Sequence, residues 1–394
     1  MYIFKPFRFE IVEPFPTTKR PRARSGHRIV CDDKYMYSIG GFNPCVPEHD
    51  AEMSEDEVWK TSRPLFKELW RFNLSTKKWQ RYPGQIYLPI ELASTAVLLF
   101  RHKLIFYGGT AVPFGESCSN KLYVCDLEGL DGSVCQLPAV GSLPDPQYGQ
   151  ALVKTKNFIY TVGGTTGYEY TCDVHRYDLR VGVWESVYIC SGRDPMEPPG
   201  RYRHELAFDG RRIYVLGGGT GVQSFGFSHI PAFDIETNTW SILHAHADPG
   251  SQLTFPGARR CHGAVQYLDK ETQSVHVIIS GGFCGGLAYK DVWRLNLKNL
   301  QWNKIVHCTL PKPLYFHSAA VTPAGKMYTF GGIIETHEQT TPRTSDVLST
   351  WVIIPSLSEI CWEAVNHYYE LRAKSRDQLL DIGIPLKFIN RLFD

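Results

Sequence analysis

At 394 residues, 43% of them hydrophobic and 13% aromatic, the chain has ample material for a large buried core, and 34 glycines suit a turn-rich β protein. Its 42 basic and 40 acidic residues leave a net charge of +2, which argues against a dedicated nucleic-acid or membrane-surface binder, because both carry a concentrated basic field. The 11 cysteines are odd in number and include no C-x-x-C pair, no apolar leader follows Met1, and no apolar stretch is long enough to span a bilayer, so a reducing cytosolic or nuclear setting is expected.

In chain order, the first expected element is "FRFEIVE" (7–13), which alternates like a strand with Phe7, Phe9 and Ile11 on one face. "KRPRAR" (19–24) is the densest basic cluster; it can be read as a nuclear-localisation signal, but its Arg24 also belongs to a repeat. Apolar runs ending in Gly-Gly then recur, at Gly40-Gly41, Gly108-Gly109, Gly163-Gly164, Gly217-Gly218, Gly281-Gly282 and Gly331-Gly332, in steps of 68, 55, 54, 64 and 50 residues. Each run is a strand rich in Val, Ile, Tyr and Phe, stopped by a pair that tolerates positive φ cheaply. The acidic run "EHDAEMSEDE" (48–57) reads as a solvated loop insertion in the first unit.

Downstream of the pairs, "LWRFNLSTKKW", "VHRYDLRVGVW", "IPAFDIETNTW" and "VWRLNLKNLQW" end at Trp79, Trp184, Trp240 and Trp302. Each reads as a strand, a tight polar turn and an outer strand opened by a buried Trp. The second unit has "YVCDL" and no such Trp. Upstream of the pairs stand His27, Thr95, Gln150, His204, His262 and His317, the histidines being expected to satisfy buried backbone groups. Four strands per unit, six times, is the result. The sixth unit runs from "SDVLSTWVII" (345–354) straight into a helix and lacks an outer strand, so the N-terminal strand (within 5–14) is expected to supply it and close the ring.

These units resemble the kelch repeat over roughly residues 5–352. The resemblance implies an all-β six-bladed kelch β-propeller over 1–354, followed by a small α-helical unit over 355–394. In that unit "SLSEICWEAV" is expected to form an amphipathic helix, with Ser356 and Glu359 as a capping box and Leu357, Cys361, Ala364, Val365 and Tyr368 on one face. Ser375 and Gln378 suggest another capping box, Leu379-Leu380 a core, Gly383 a C-cap and Pro385 a helix start. About 40 residues bury a core of their own poorly, so their apolar faces need a partner.

Ser356, Leu357, Cys361 and Val365 match the elongin-binding box, and Ile384, Pro385 and Phe388 match the start of the cullin-2 box; Lys387, where the Cullin-5 counterpart has Pro, argues against that cullin. The chain thus resembles kelch-repeat substrate receptors of Cullin-2 RING ubiquitin ligases. The resemblance implies docking to elongin B and elongin C, to Cullin-2 and to its RING subunit, with recognition of target proteins by their C-terminal tails, those ending in Gly or Ala being the expected class. It also implies contacts with a protein phosphatase or signalling kinase. No cofactor, metal, nucleic acid or membrane partner is expected.

In a propeller, the loops leading into the inner strands and those leaving Gly-Gly line one mouth of the channel. Residues before the His position are therefore tail-binding candidates: Ser25, Gln147, Tyr148, Arg201, Tyr202, Arg203, Arg259, Arg260, Tyr315 and Phe316. Guanidinium forks suit a terminal carboxylate, and aromatic walls suit small terminal residues. Arg24, Arg201 and Arg259 also fit a framework role, so Arg203 and Arg260 lead. Tyr168, Ser224 and Phe283, from loops after Gly-Gly, are expected to contribute. Related receptors of Gly-Gly tails carry arginines in the blade of "GGGTGVQSFGF" (217–227), where this chain has none, so the carboxylate must be held otherwise.

Catalytic readings fare worse. "HAHAD" (244–248) is a loop without supporting ligands, "GGGTGVQS" lacks the Gly-Lys-Ser/Thr of a phosphate loop, and no Ser-His-acid or copper-radical set is found. A cytoskeletal or signalling kelch scaffold is the alternative, and it would not need the C-terminal boxes.

Overall fold

The computed structural model describes residues 2–393, apart from 17, 48–49, 51–52, 54, 85–86, 130–131, 253 and 336–340. Both glycines of all six pairs have φ between +60° and +114°. A side chain is excluded there by crowding as well as by conformation. A Cβ on the second glycine would stand 2.6–2.9 Å from the Cβ of the same unit's His27, His204, His262 or His317. A Cβ on the first glycine would stand 2.5–2.9 Å from Cε1 of the next unit's histidine. Glycine pair and histidine are thus one packing element. Its last instance, Gly331 against His27, joins unit six to unit one.

The units form six antiparallel blades around a channel. Their inner strands are Arg28–Cys31, Ala96–Phe100, Ala151–Lys154, Glu205–Phe208, Gly263–Asp269 and Ser318–Val321. Blade three gains a fifth, parallel strand at Val140–Gly141. The core is divided into clusters that lie between neighbouring blades. Trp79, Trp184, Trp240 and Trp302 are all buried, each reaching into the blade before its own. Trp79 meets Phe330, Trp184 meets Tyr107 and Trp302 meets Phe227, at centroid separations of 5.2, 5.1 and 5.4 Å. Unit two, without the Trp, has a short outer strand, Val134–Gln136.

The ring is closed as expected. Glu10–Ile11 pairs antiparallel to Val347–Trp351, Glu10 opposite Ser349 and Ile11 opposite Leu348. The N–H groups of Phe7 and Val12 extend the pairing to the carbonyls of Trp351 and Val347, both at 2.8 Å. The expected facing is corrected: Phe9 and Val12 are the buried residues, while Ile11 is 56% exposed. Phe7 has φ +58°, which breaks the alternation.

Of the acidic run 48–57, residues 48–49, 51–52 and 54 lie outside the described residues, and its end leads into a helix. Asp56 caps a helix, Glu57–Ser62, by accepting from Val58 N and Trp59 N, and Trp59 stacks on Phe66 at 5.0 Å. Of the four histidines, His204 does meet a backbone group, its Nε2 lying 3.0 Å from the carbonyl oxygen of Val162. His317 pairs instead with Ser280 Oγ at 3.1 Å, and His262 has no hydrogen-bond partner among the described residues.

The C-terminal unit comprises helices Leu357–Tyr368, Arg376–Asp381 and Leu386–Ile389 and a 3₁₀ turn at Leu371–Ala373. Trp362, Leu371, Leu379, Phe388, Ile389 and Leu392 form its core. Ser375 and Gln378 form the expected capping box, and Gly383 ends that helix at φ +86°. Ser356 and Glu359 do not form one, because Arg391 takes both Glu359 carboxylate oxygens, at 2.7 and 2.9 Å. Leu380, expected in the core with Leu379, is 44% exposed. The unit is held to the propeller by polar contacts. Glu363 pairs with Lys326 and accepts from Trp351 Nε1 at 2.9 Å and Tyr2 Oη at 2.8 Å, and Asn366 Nδ2 donates to Ser75 O at 3.1 Å.

Candidate functional site

The residues just before the His position are Gly26, Ser94, Gly149, Arg203, Cys261 and Phe316, and all six have φ between +54° and +69°. This left-handed turn aims each N–H at the carbonyl of its counterpart in the preceding blade. Ser94 donates to Gly26, Gly149 to Ser94, Arg203 to Gly149, Cys261 to Arg203, Phe316 to Cys261 and Gly26 to Phe316, at 2.7–3.3 Å. The result is a closed belt of backbone hydrogen bonds around the channel. One residue earlier, Ser25, Ala93, Tyr148, Tyr202 and Arg260 pair with residues just after Gly-Gly, namely Phe42, Thr110, Thr165, Gly219 and Phe283. The two sets of loops therefore form one mouth, with the belt as its floor.

On that floor is a cavity of about 160 Å³. Arg203 lies across it, reaching from blade four to donate through Nη2 to Ser94 Oγ on blade two, with its guanidinium 4.7 Å from the ring centre of Phe316 on blade six. Arg203 is 5% exposed, its Nε has no hydrogen-bond partner, and it forms no ion pair among the described residues. Burial depresses its pKa to about 10, yet the group stays charged at neutral pH. An uncompensated cation in such a place is costly unless a ligand supplies the missing anion. Tyr148, Tyr202, Phe316, Phe42 and Phe114 supply aromatic walls, Ser25 and Ser94 hydroxyls, and Arg343 a second guanidinium that donates to Ser25 Oγ at 3.1 Å.

The structure thus gathers Ser25, Tyr148, Tyr202, Arg203 and Phe316 from the sequence candidates. Arg260 stands on the rim, donating to Ser224 Oγ at 3.2 Å, and Tyr315 stacks on Phe283 beside the cavity at 4.8 Å. Tyr168 is 82% exposed and does not line it. Arg201 and Arg259 are corrected to framework residues. Both are buried within their own blades, where their Nη1 groups donate to Gly217 O at 3.0 Å and Gly281 O at 2.9 Å, and Asp291 also holds Arg259. Gln147 is buried as well and packs beside Gly164. Phe42, Phe114 and Arg343 were not among the candidates. Phe42 directly follows Gly40-Gly41, which is the signal that could have found it.

The second surface is on the C-terminal unit. Leu357 is 74% exposed, and Ser356 and Cys361 are exposed beside it, on the side of the helix away from Trp362. Pro385 and Leu386 are exposed too. Val365 and Ile384 are half-buried and pack against the unit's own core, and Phe388 lies inside it, stacked on Trp362 at 5.0 Å. Among the described residues the one grouping with metal-ligand geometry is His102, Asp126 and Glu128, not "HAHAD".

Comparison with known proteins agrees with this architecture. A family model described as the KLHDC2/KLHL20/DRC7 Kelch-repeats domain matches residues 1–218, and one described as the Attractin/LZTR1 beta-propeller matches residues 159–354. The chain is 40% identical over 410 residues to the Kelch domain-containing protein 10 homolog of Drosophila melanogaster, covering 100% of this chain and 66% of that protein. It is 41% identical over 376 residues to Kelch domain-containing protein 10 of Xenopus laevis, covering 95% of this chain and 86% of the relative. The human protein of the same name is 40% identical over 373 residues, covering 94% of this chain and 80% of its own length. The chain belongs to the kelch-repeat β-propeller family, among the relatives of Kelch domain-containing protein 10.

Proposed function

We propose that the chain is a non-catalytic substrate receptor of a Cullin-2 RING ubiquitin ligase, capturing target proteins by their free C-terminal tails. The observation that carries this reading is Arg203: a buried guanidinium with an unused Nε, lining an aromatic-walled cavity in the mouth. A carboxylate is the planar anion that a guanidinium matches best. Arg203, reaching from blade four to Ser94 on blade two, lies across the way into the channel, which favours a segment read from its end. The small cavity favours Gly or Ala as the last residue.

The exposed Leu357 and Cys361 support docking of elongin B and elongin C on the outer helix, with Pro385 and Leu386 facing Cullin-2. The captured protein would then be presented for ubiquitination and degradation. No disulfide joins the described cysteines of this chain, which fits work in the cytosol and nucleus. A scaffold for a phosphatase, kinase or cytoskeletal complex would use the same propeller but leaves the exposed Leu357 and Cys361 without a role.

The test is binding of a labelled peptide ending in glycine or alanine, with a free or an amidated C-terminus. Amidation and Arg203→Gln should each weaken binding about tenfold or more, the loss of one charge-assisted hydrogen bond. Equal binding of acid and amide by the wild type would reject the carboxylate reading.

A further inference from the structure

The charge of Arg203 serves an incoming tail only if no carboxylate of the protein reaches it first. Such a carboxylate is close in sequence: Glu205 follows Arg203 by two residues on the inner strand of blade four. Below the belt the channel holds a cavity of about 390 Å³, and Arg28 and Glu205 are the only charged side chains among its described lining residues. Arg28 belongs to the inner strand of blade one, on the opposite side of the ring. Its Nη1 meets Glu205 Oε1 across the channel at 2.6 Å, and both side chains are mostly buried. Apart from this pair the channel is lined mainly by Ile, Val, Leu and Ala, so charges there act strongly on one another.

We infer that the Arg28–Glu205 pair is a strut that holds Glu205 below the belt, making Arg28 a positioning residue for tail binding although it does not touch the tail. The inference rests on the carboxylate reading of Arg203. The Arg28–Glu205 pair lies below the belt, and the Arg203 guanidinium lies at it, lining the mouth cavity. Because Arg28 takes the carboxylate, the remaining positive charge belongs to Arg203, on the mouth side. The position of Arg203 fits this division: its Nη2 is turned to Ser94, and a Cβ on Gly26 would lie 3.0 Å from it. Burial chiefly lowers the pKa of Arg203, Arg28 lowers it further, and Cys261, Tyr202 and Glu205 raise it. Freed from Arg28, Glu205 would have Arg203 as its natural partner.

The test is the affinity of a labelled peptide ending in glycine, with a free carboxylate, for Arg28→Gln, Glu205→Gln, the double variant and Arg203→Gln, each with its melting temperature. Arg28→Gln should bind about tenfold more weakly. Glu205→Gln should bind at least as tightly as the wild type, and the double variant should return to within about threefold of it. A brace that only ties blades together would give a double variant as weak as Arg28→Gln. That result, wild-type affinity in Arg28→Gln, or weakened binding by Glu205→Gln would overturn the inference. Should Arg28→Gln not fold, the Glu205→Gln arm decides alone. If Arg203→Gln binds like the wild type, the carboxylate reading itself fails, and the strut inference falls with it.

Discussion

Replacing Phe9 and Ile11 one at a time separates a strand that closes the ring from one that merely lies on it. Phe9 is 8% exposed and packs in the cluster between blades five and six, with Val265, Ile278, Met327 and Leu348. Ile11, two residues on and paired to Leu348 through its backbone, is 56% exposed. Truncating a buried Phe to Ala costs about 3–5 kcal/mol, whereas truncating an exposed residue costs within about 0.5 kcal/mol. With an unfolding entropy of roughly 2.1 cal/mol/K per residue over a propeller of roughly 350 residues, Phe9→Ala should lower the melting temperature by about 4–7 °C. Ile11→Ala should change it by less than about 1 °C. Deleting residues 1–14 should lower it further, because the edge of Val347–Trp351 is then left unpaired. Scanning calorimetry on the three variants reads this directly. Equal effects of the two substitutions, or an unchanged curve after the deletion, would refute the closure account.

Acid should also destabilise the propeller through its buried histidines. Burial lowers the pKa of His204 and His317 to about 3, while the unfolded chain titrates near 6.5. The unfolded state therefore binds more protons between those values, and stability falls as pH drops below about 6.5; each such His costs about 2 kcal/mol by pH 5. His204→Gln, which copies the Gln150 arrangement with its bond to Tyr107 O, should reduce the loss of urea midpoint between pH 7.5 and 5.0. An unchanged pH dependence in that variant would contradict the assignment. Glu363→Ala should loosen the helical unit by roughly 2 kcal/mol, because Lys326, Trp351 and Tyr2 lose a common acceptor. Limited proteolysis after Val352 should accelerate, and wild-type resistance would count against this anchor.

Much of the architecture was legible because the residues that signal it are demanded from two sides. Each Gly-Gly is crowded by its own histidine and by the next blade's, so pair and histidine recur together. Each Trp fills the space before its own blade, and the missing outer strand of the sixth unit could be counted. The floor of the mouth could not be foreseen. It is made of backbone, and its six positions carry Gly, Ser, Gly, Arg, Cys and Phe, with no shared side chain to mark the left-handed turn. That turn separates Arg203, which faces the cavity, from Arg201, two residues earlier, which is held by Gly217 O. Arg343 and Phe114 come from loops of unlike length, so no repeat register points to them. In the helical unit, a periodic apolar pattern could not tell the exposed Leu357 from the half-buried Val365. The distinction depends on Trp362 stacking on Phe388, a contact between residues far apart in sequence.

In the proposed receptor the propeller would select a protein and the outer helix would deliver it to a ligase. The decisive measurement is capture of elongin B, elongin C and Cullin-2 by the full chain, compared across wild type, Leu357→Ala/Cys361→Phe and Pro385→Ala. Leu357 and Cys361 are exposed, so the double variant should melt like the wild type yet lose the elongins and the cullin together. Pro385→Ala should keep the elongins and lose Cullin-2. A wild-type chain that captures no elongin, or a double variant that captures it undiminished, would contradict the account.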